Sequence, residues 1–272
     1  MKRHTLATVV AVLVGVAWVI PFLGVVMTAF RPSHDVLYGW WRPPFRFTAK
    51  NIAGAWHHST ASLAWGLKNS AQVAVLATII PTFLASLMAY GLVRVRFPGR
   101  ASLLMAIGLL LAIPQQMVAW PLFRLMHSLG LLNSLFGLAL VHSAWALPWM
   151  VFFLRGYIET LPVELEEAAF IDGANRPQTF FLVVLPLMLP ALASVVVLQF
   201  TWAWNDFFLA LILIYEPKKM VITQQIPLLR GQYHVDWGLL SAGAFLATLP
   251  PLLIFAFFQR YFVRGLVGGA VK

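Results

Sequence analysis

The sequence predicts an all-α integral membrane protein with six transmembrane helices, on three observations. The chain is 61% hydrophobic and 10% charged, with a mean hydropathy of +0.82, whereas a soluble domain carries about 25% charged residues. Six runs lack any Asp, Glu, Lys or Arg, at 5–30, 69–93, 101–123, 128–154, 177–205 and 237–259. Each meets the roughly 20 residues that cross a ~30 Å hydrocarbon core. A helix also satisfies its own backbone in lipid, so no sheet is expected.

The first run follows "MKRH", which could serve as the basic start of a signal peptide. Its 26 uncharged residues exceed the roughly 7–15 of a signal-peptide core, so it is expected to stay as the first span. The loop 31–68 carries Trp40, Trp41, Trp56 and Trp65 with Pro43 and Pro44. Indoles at this density suit a loop lying along the membrane interface. After the second run, "RVRFPGR" at 94–100 packs three arginines into seven residues. The third run is broken by "IPQQ" at 113–116, where Gln115 and Gln116 either bond a neighbouring helix or line a path. His142 in the fourth run is expected to be a helix–helix contact.

Residues 155–176 gather five of the nine acids: Glu159, Glu164, Glu166, Glu167 and Asp172. At membrane depth each would cost roughly 2.5–3.5 kcal/mol, so this segment lies outside the bilayer. Thr160 is the expected N-cap, Pro162 falls in the first turn, and the glutamates favour the positive helix end. Leu165, Ala168, Ala169 and Asp172 share one face, Gly173 is the natural residue just past the helix end, and Pro177 opens a second helix. The pattern describes a short helix, a tight turn and a helix leading into the fifth run.

From Pro177 to Tyr215 the only charge is Asp206. These 39 residues would extend about 58 Å as one helix, so Pro186 and Pro190 are expected to mark a turn into the membrane. Gln199, Trp202, Asn205 and Asp206 then sit together, either as packing near the headgroups or as part of a cavity or gate. Before the last run, "LLRGQYHVDWG" at 228–238 places Gly231, Gln232, Tyr233 and Asp236 in one polar loop.

The absence of cysteine excludes disulfides and thiolate metal sites, and no metal-ligand constellation is visible. The net charge of +10 is scattered over loops, which suits anionic headgroups rather than nucleic acid. With the N-terminus inside, ten basic residues fall on one side and nine on the other, and the 94–100 cluster favours both termini inside.

The order Glu167, Ala168, Ala169, Gly173, Val183, Leu185, Pro186 resembles the signature of binding-protein-dependent ABC importer permeases, with Val for the usual Ile. "RVRFPGR", "TWAWNDFFLAL", "GQYHVDWGLL" and "QRYFVRGLVGGAVK" are similar to the smaller permease of maltose-type sugar importers, from about residue 69 to 272. The resemblance implies a type I importer architecture, divided into a first span with a long outer loop (1–64), a five-helix core (65–262) and a cytoplasmic tail (263–272).

It also implies that the loop of about 160–177 is a coupling helix docking on a cytoplasmic ATPase through Glu167, Ala168, Ala169, Asp172 and Gly173. The implied partners are a larger homologous permease, two ATP-binding subunits and an extracytoplasmic sugar-binding protein. Solute would pass by alternating access, along a path for which Gln115, Gln116, Gln199, Trp202, Asn205 and Asp206 are candidates. Gly231, Gln232, Tyr233 and Asp236 would be a scoop reaching into the binding protein, or else an interfacial turn. The tail is either flexible or in contact with the ATPase dimer. No P-loop GxxxxGK[ST] occurs, so ATP and Mg belong on a partner chain, with no cofactor here. The same architecture carrying another solute, such as glycerol phosphate, is one alternative. A self-sufficient secondary transporter is another, although it would need intramembrane ion or proton sites.

Overall fold

The computed structural model describes the backbone of residues 2–231 and 235–270, and side chains over 6–231 and 235–260. Its helices in chain order are α1 (Lys2–Ala29), α2 (Ser33–Val36), α3 (Lys50–Trp56), α4 (Leu63–Arg94), α5 (Arg100–Leu111), α6 (Ala119–Ser128), α7 (Leu135–Ile158), α8 (Glu164–Ile171), α9 (Arg176–Thr179), α10 (Leu185–Leu187), α11 (Leu189–Asn205), α12 (Phe208–Leu213), α13 (Ile222–Leu228) and α14 (Trp237–Ala270). There is no strand among the described residues.

Four stretches are long and apolar enough to cross a membrane unbroken: Leu6–Ala29, Leu63–Arg94, Leu135–Ile158 and Trp237–Arg260. Two further pairs qualify together but are bent, Arg100–Leu111 with Gln115–Ser128 by 94° and Arg176–Leu187 with Leu189–Asn205 by 73°. Both breaks are proline-driven. Pro114, extended at ψ 137°, interrupts the first pair, and the second bends between Pro186 and Pro190. Pro186 has no N–H for the carbonyl one turn earlier. The stretch before it, Phe180–Val184, widens into a π turn that the Leu185 N–H closes onto the Phe180 carbonyl.

Several helix ends depart from the uncharged runs, among them the starts of α4 and α7. α4 begins at Leu63, ahead of Lys68, because a lysine is a good helix former and a charge marks no helix end; its ammonium lies 5.0 Å over the Trp65 ring. α7 starts at Leu135, with Ser134 accepting from the Gly137 N–H. The uncharged residues before it form a turn through Gly130 (φ 66°) and Asn133 (φ 53°), which a charge count does not register.

The chain divides into two compact units. One comprises residues 1–68 and 220–249. Its centre is Arg31, fully buried, whose guanidinium donates to the carbonyls of Gly39, Trp40, Arg42 and Pro44 at 2.8–3.0 Å. Buried Asn51 closes the end of α1 by donating to the Ala29 and Arg31 carbonyls at 3.1 and 2.6 Å. The Gln225 Oε1 accepts from Ser62 N at 3.0 Å. Gly66 lies so close to Ile222 and Gln225 that a Cβ there would meet both within 3.1 Å.

The other unit comprises residues 69–219 and 250–272. Its core joins α4 (Ala85, Ala89, Leu92) to α7 (Met150, Leu154, Ile158) and to Phe180, Val184, Met188, Ala191 and Val195. The alanines of α4 and α11 let helix backbones approach closely, as helix packing in lipid requires. In the first unit, α1 is exposed on all sides over residues 6–23, with Leu6, Leu13, Trp18 and Phe22 more than half exposed, an apolar surface for lipid or another chain.

Candidate functional site

The acidic segment folds in the helix–turn–helix order the sequence anticipates, but its start is corrected twice: neither Thr160 nor Pro162 belongs to α8. α8 begins at Glu164 after Val163, which provides no side-chain cap. Thr160 is not the N-cap: its hydroxyl donates back to the Tyr157 carbonyl at 2.7 Å. The α7 end continues in turns through Thr160 and Leu161, so Thr160 is spent before α8 starts.

At the other end Gly173 has φ 87°. The Gly173 N–H bonds the Phe170 carbonyl at 3.1 Å and the Ala174 N–H bonds the Ala169 carbonyl at 2.9 Å. This pair of bonds is the Schellman closure. Asn175 then starts α9 with a capping box: its Oδ1 accepts from Gln178 N at 2.9 Å and the Gln178 Oε1 from Asn175 N at 2.8 Å. Two short helices are thereby fixed across the four residues 172–175.

α8 has two unlike faces. Glu164, Leu165, Glu167, Ala168 and Asp172 are exposed, Ala169 is half-buried, and Ile171 is 86% exposed. Glu166 is buried. Its Oε1 accepts from Arg94 Nε at 2.6 Å and its Oε2 from the Tyr90 hydroxyl at 3.1 Å. The same guanidinium donates to the Ile158 and Leu161 carbonyls at 3.3 and 3.1 Å, and Arg176 donates to the Arg94 carbonyl at 3.4 Å. The underside of α8 is therefore bolted to the ends of α4 and α7, while its outer face is free and partly apolar. Sequence reading treated Glu166 like its neighbours and missed Arg94 and Tyr90. No local signal separates the inward glutamate from Glu164 or Glu167.

The polar candidates in the helical region are only partly brought together. Gln115, Gln199 and Trp202 line one small cavity with His142, Trp145 and Trp149. Gln199 and His142 are buried and Trp202 is 57% exposed. Gln116 and Asn205 are exposed and do not line it. Asp206 has its Oδ2 3.6 Å from the His142 Nε2 and accepts from the Leu209 and Ala210 amides at 3.0 and 3.2 Å. It thus caps α12 and contacts α7, so His142 is a contact between helices. His142, Trp145 and Trp149 as one lining group were not foreseen. They fall on α7 at i, i+3 and i+7, a spacing that would have found them.

Of the loop at 228–238, Gly231 and Asp236 are described, whereas Gln232 and Tyr233 lie outside the described residues. The Asp236 Oδ1 accepts from Leu239 N at 3.0 Å at the start of α14, and the Ser33 hydroxyl donates to both carboxylate oxygens at 3.0–3.1 Å. That carboxylate anchors the loop end.

The family described as "Binding-protein-dependent transport system inner membrane component" matches residues 81–268. A probable ABC transporter permease protein of Pyrococcus horikoshii is 48% identical, covering 100% of this chain and 99% of its own. The trehalose/maltose transport system permease protein MalG of Thermococcus litoralis is 31% identical over 99% of this chain and 97% of its own. Among solved structures, a bacterial ABC transporter involved in the import of the acidic polysaccharide alginate shares the fold. Its TM-score is 0.80 at 21% identity, covering 96% of this chain and 98% of that one.

Proposed function

The chain belongs to the family of binding-protein-dependent transport system inner membrane components, and from that premise we propose that it is the permease subunit of an ATP-driven carbohydrate importer. It is a multi-pass membrane protein and a transport subunit. In the proposed complex it pairs with a larger homologous permease in the inner membrane, with both termini cytoplasmic. Two ATP-binding subunits carry ATP and Mg, and an external sugar-binding protein delivers solute.

The observation that carries the coupling role is the two-faced α8. A short helix held from below by a buried ion pair, closed by a left-handed glycine and bare on its outer face is built to dock on another chain. The docking face would be Glu167, Ala168, Ala169 and Ile171, with Asp172 and Gly173 setting the angle to α9. Carbohydrate as solute is supported by the relative named for trehalose and maltose and by the fold neighbour named for alginate. It is also supported by the meeting of indoles with amides around Gln199, since aromatic faces and hydrogen-bonding amides suit sugar rings.

The test is the complete complex in proteoliposomes, with binding-protein-stimulated ATP hydrolysis and uptake measured over a sugar panel. Stimulation and uptake by at least one sugar are expected; stimulation by none would remove the carbohydrate assignment. Orientation is tested separately in this cysteine-free chain. A cysteine placed at His34 should react with an impermeant thiol reagent from outside and one at Pro98 should not. The reverse pattern would overturn the topology.

A further inference from the structure

The linkage beneath α8 has a consequence beyond anchoring, resting on the coupling role proposed above. Arg94 ends α4, a 32-residue helix about 48 Å long at 1.5 Å per residue. Its guanidinium joins three helix ends: the α4 it belongs to, the Ile158 end of α7, and α8 through Glu166. Arg176 at the start of α9 returns to the Arg94 carbonyl. The pair is removed from water, with Arg94 and Glu166 side chains 13% and 5% exposed. Below it Tyr90 packs on Phe180 at 5.1 Å, within the core shared by α4, α7 and the stretch leading into α11.

Two physical points turn this geometry into a device. Replacing a buried ion pair by apolar side chains of similar volume is often neutral or stabilising, so stability alone does not call for one here; fixing direction and register is a role such a pair can add. Stretching a 2.6 Å charged hydrogen bond weakens it, and breaking it would strand a buried charge. α8 therefore cannot shift on its own: a displacement of its outer face must carry α4 and α7 with it or break the pair.

We propose that Arg94, Glu166 and Tyr90 form the rigid link that passes movement of the docking helix α8 into the long helices α4 and α7. They act as positioning residues rather than as part of the docking face.

The experiment compares Arg94→Met, Glu166→Gln, Tyr90→Phe and Arg94→Lys in the reconstituted complex, reading three quantities: recovery of the ATP-binding chain with the tagged permease, ATP hydrolysis, and solute taken up per ATP hydrolysed. Arg94→Met and Glu166→Gln should keep the ATP-binding chain bound, since the outer face is unchanged, and should lower uptake per ATP by about tenfold or more, the worth of one charged hydrogen bond. Tyr90→Phe, which spares the ion pair, should lower it less. Arg94→Lys, which keeps the charge, should recover part of the Arg94→Met loss. Wild-type uptake per ATP in both Arg94→Met and Glu166→Gln would overturn the link. So would loss of the ATP-binding chain from all four variants, because the group would then only fold α8. If the unmodified complex shows no binding-protein-stimulated hydrolysis, the failure lies with the coupling role itself, and that control separates the two.

Discussion

Two arginines, Arg31 fully buried and Arg94 largely so, organise the two units of this molecule in opposite ways. Arg31 takes all four of its acceptors from backbone carbonyls within thirteen residues of itself. No carboxylate is involved, and the result is a local knot that gives the loop at 39–44 its shape. Arg94 takes its main acceptor from Glu166, 72 residues away, and adds carbonyls from the end of α7. A local knot fixes one segment; a long-range tether makes separate helices move together. The same side chain thus supplies shape in one unit and connection in the other.

The comparison predicts different consequences on disruption. The largest effect on stability is expected from Arg31→Met. It leaves four carbonyls without their donor, and hydrogen bonds to charged groups are worth about 1.5–3 kcal/mol each, though not additively. A markedly lower unfolding temperature of the detergent-solubilised complex should follow, with any surviving complex coupling ATP to uptake normally. Coupling loss at full stability would erase the distinction between the two arginines.

Next comes Gly173→Val. Nothing crowds the position, but φ 87° is a conformation L side chains rarely adopt, and the strain is roughly 1–3 kcal/mol. The α8–α9 turn should open and recovery of the ATP-binding chain should fall. Glu167→Lys reverses charge on the outer face without touching Arg94 or Tyr90. Its expected signature is weaker recovery of the ATP-binding chain with an unchanged unfolding temperature. The smallest effect is expected from Asp236→Ala, which removes the bonds from Ser33 and Leu239. That is the loss of a helix cap, about 1 kcal/mol, readable as a small drop in unfolding temperature. An effect on uptake well beyond that loss would point to a role in receiving solute.

The same contrast explains how much was legible in the sequence. Whatever depends on local chemistry could be read: the uncharged runs, the proline breaks at 114 and 186–190, and Gly173, where a left-handed turn needs glycine. Thr160 misled because capping depends on where the preceding helix stops, and α7 stops late. The Arg94–Glu166 bond was invisible because three glutamates share one stretch and only the fold selects which faces inward. The lining around Gln199 was half legible: the amides and Trp202 stood out as polar intrusions, whereas Trp145 and Trp149 looked like ordinary apolar residues of a span.

Docking through α8 is tested by site-specific photocrosslinking from its outer face. Ile171→Cys in this cysteine-free chain, labelled with a benzophenone maleimide and irradiated within the assembled complex, samples the side chain that is 86% exposed at the end of α8. A covalent adduct between the permease and the ATP-binding chain is expected from position 171, and none from a cysteine at Leu103 on α5. Adducts with lipid alone from position 171, or equal adducts with the ATP-binding chain from both positions, would contradict docking through α8.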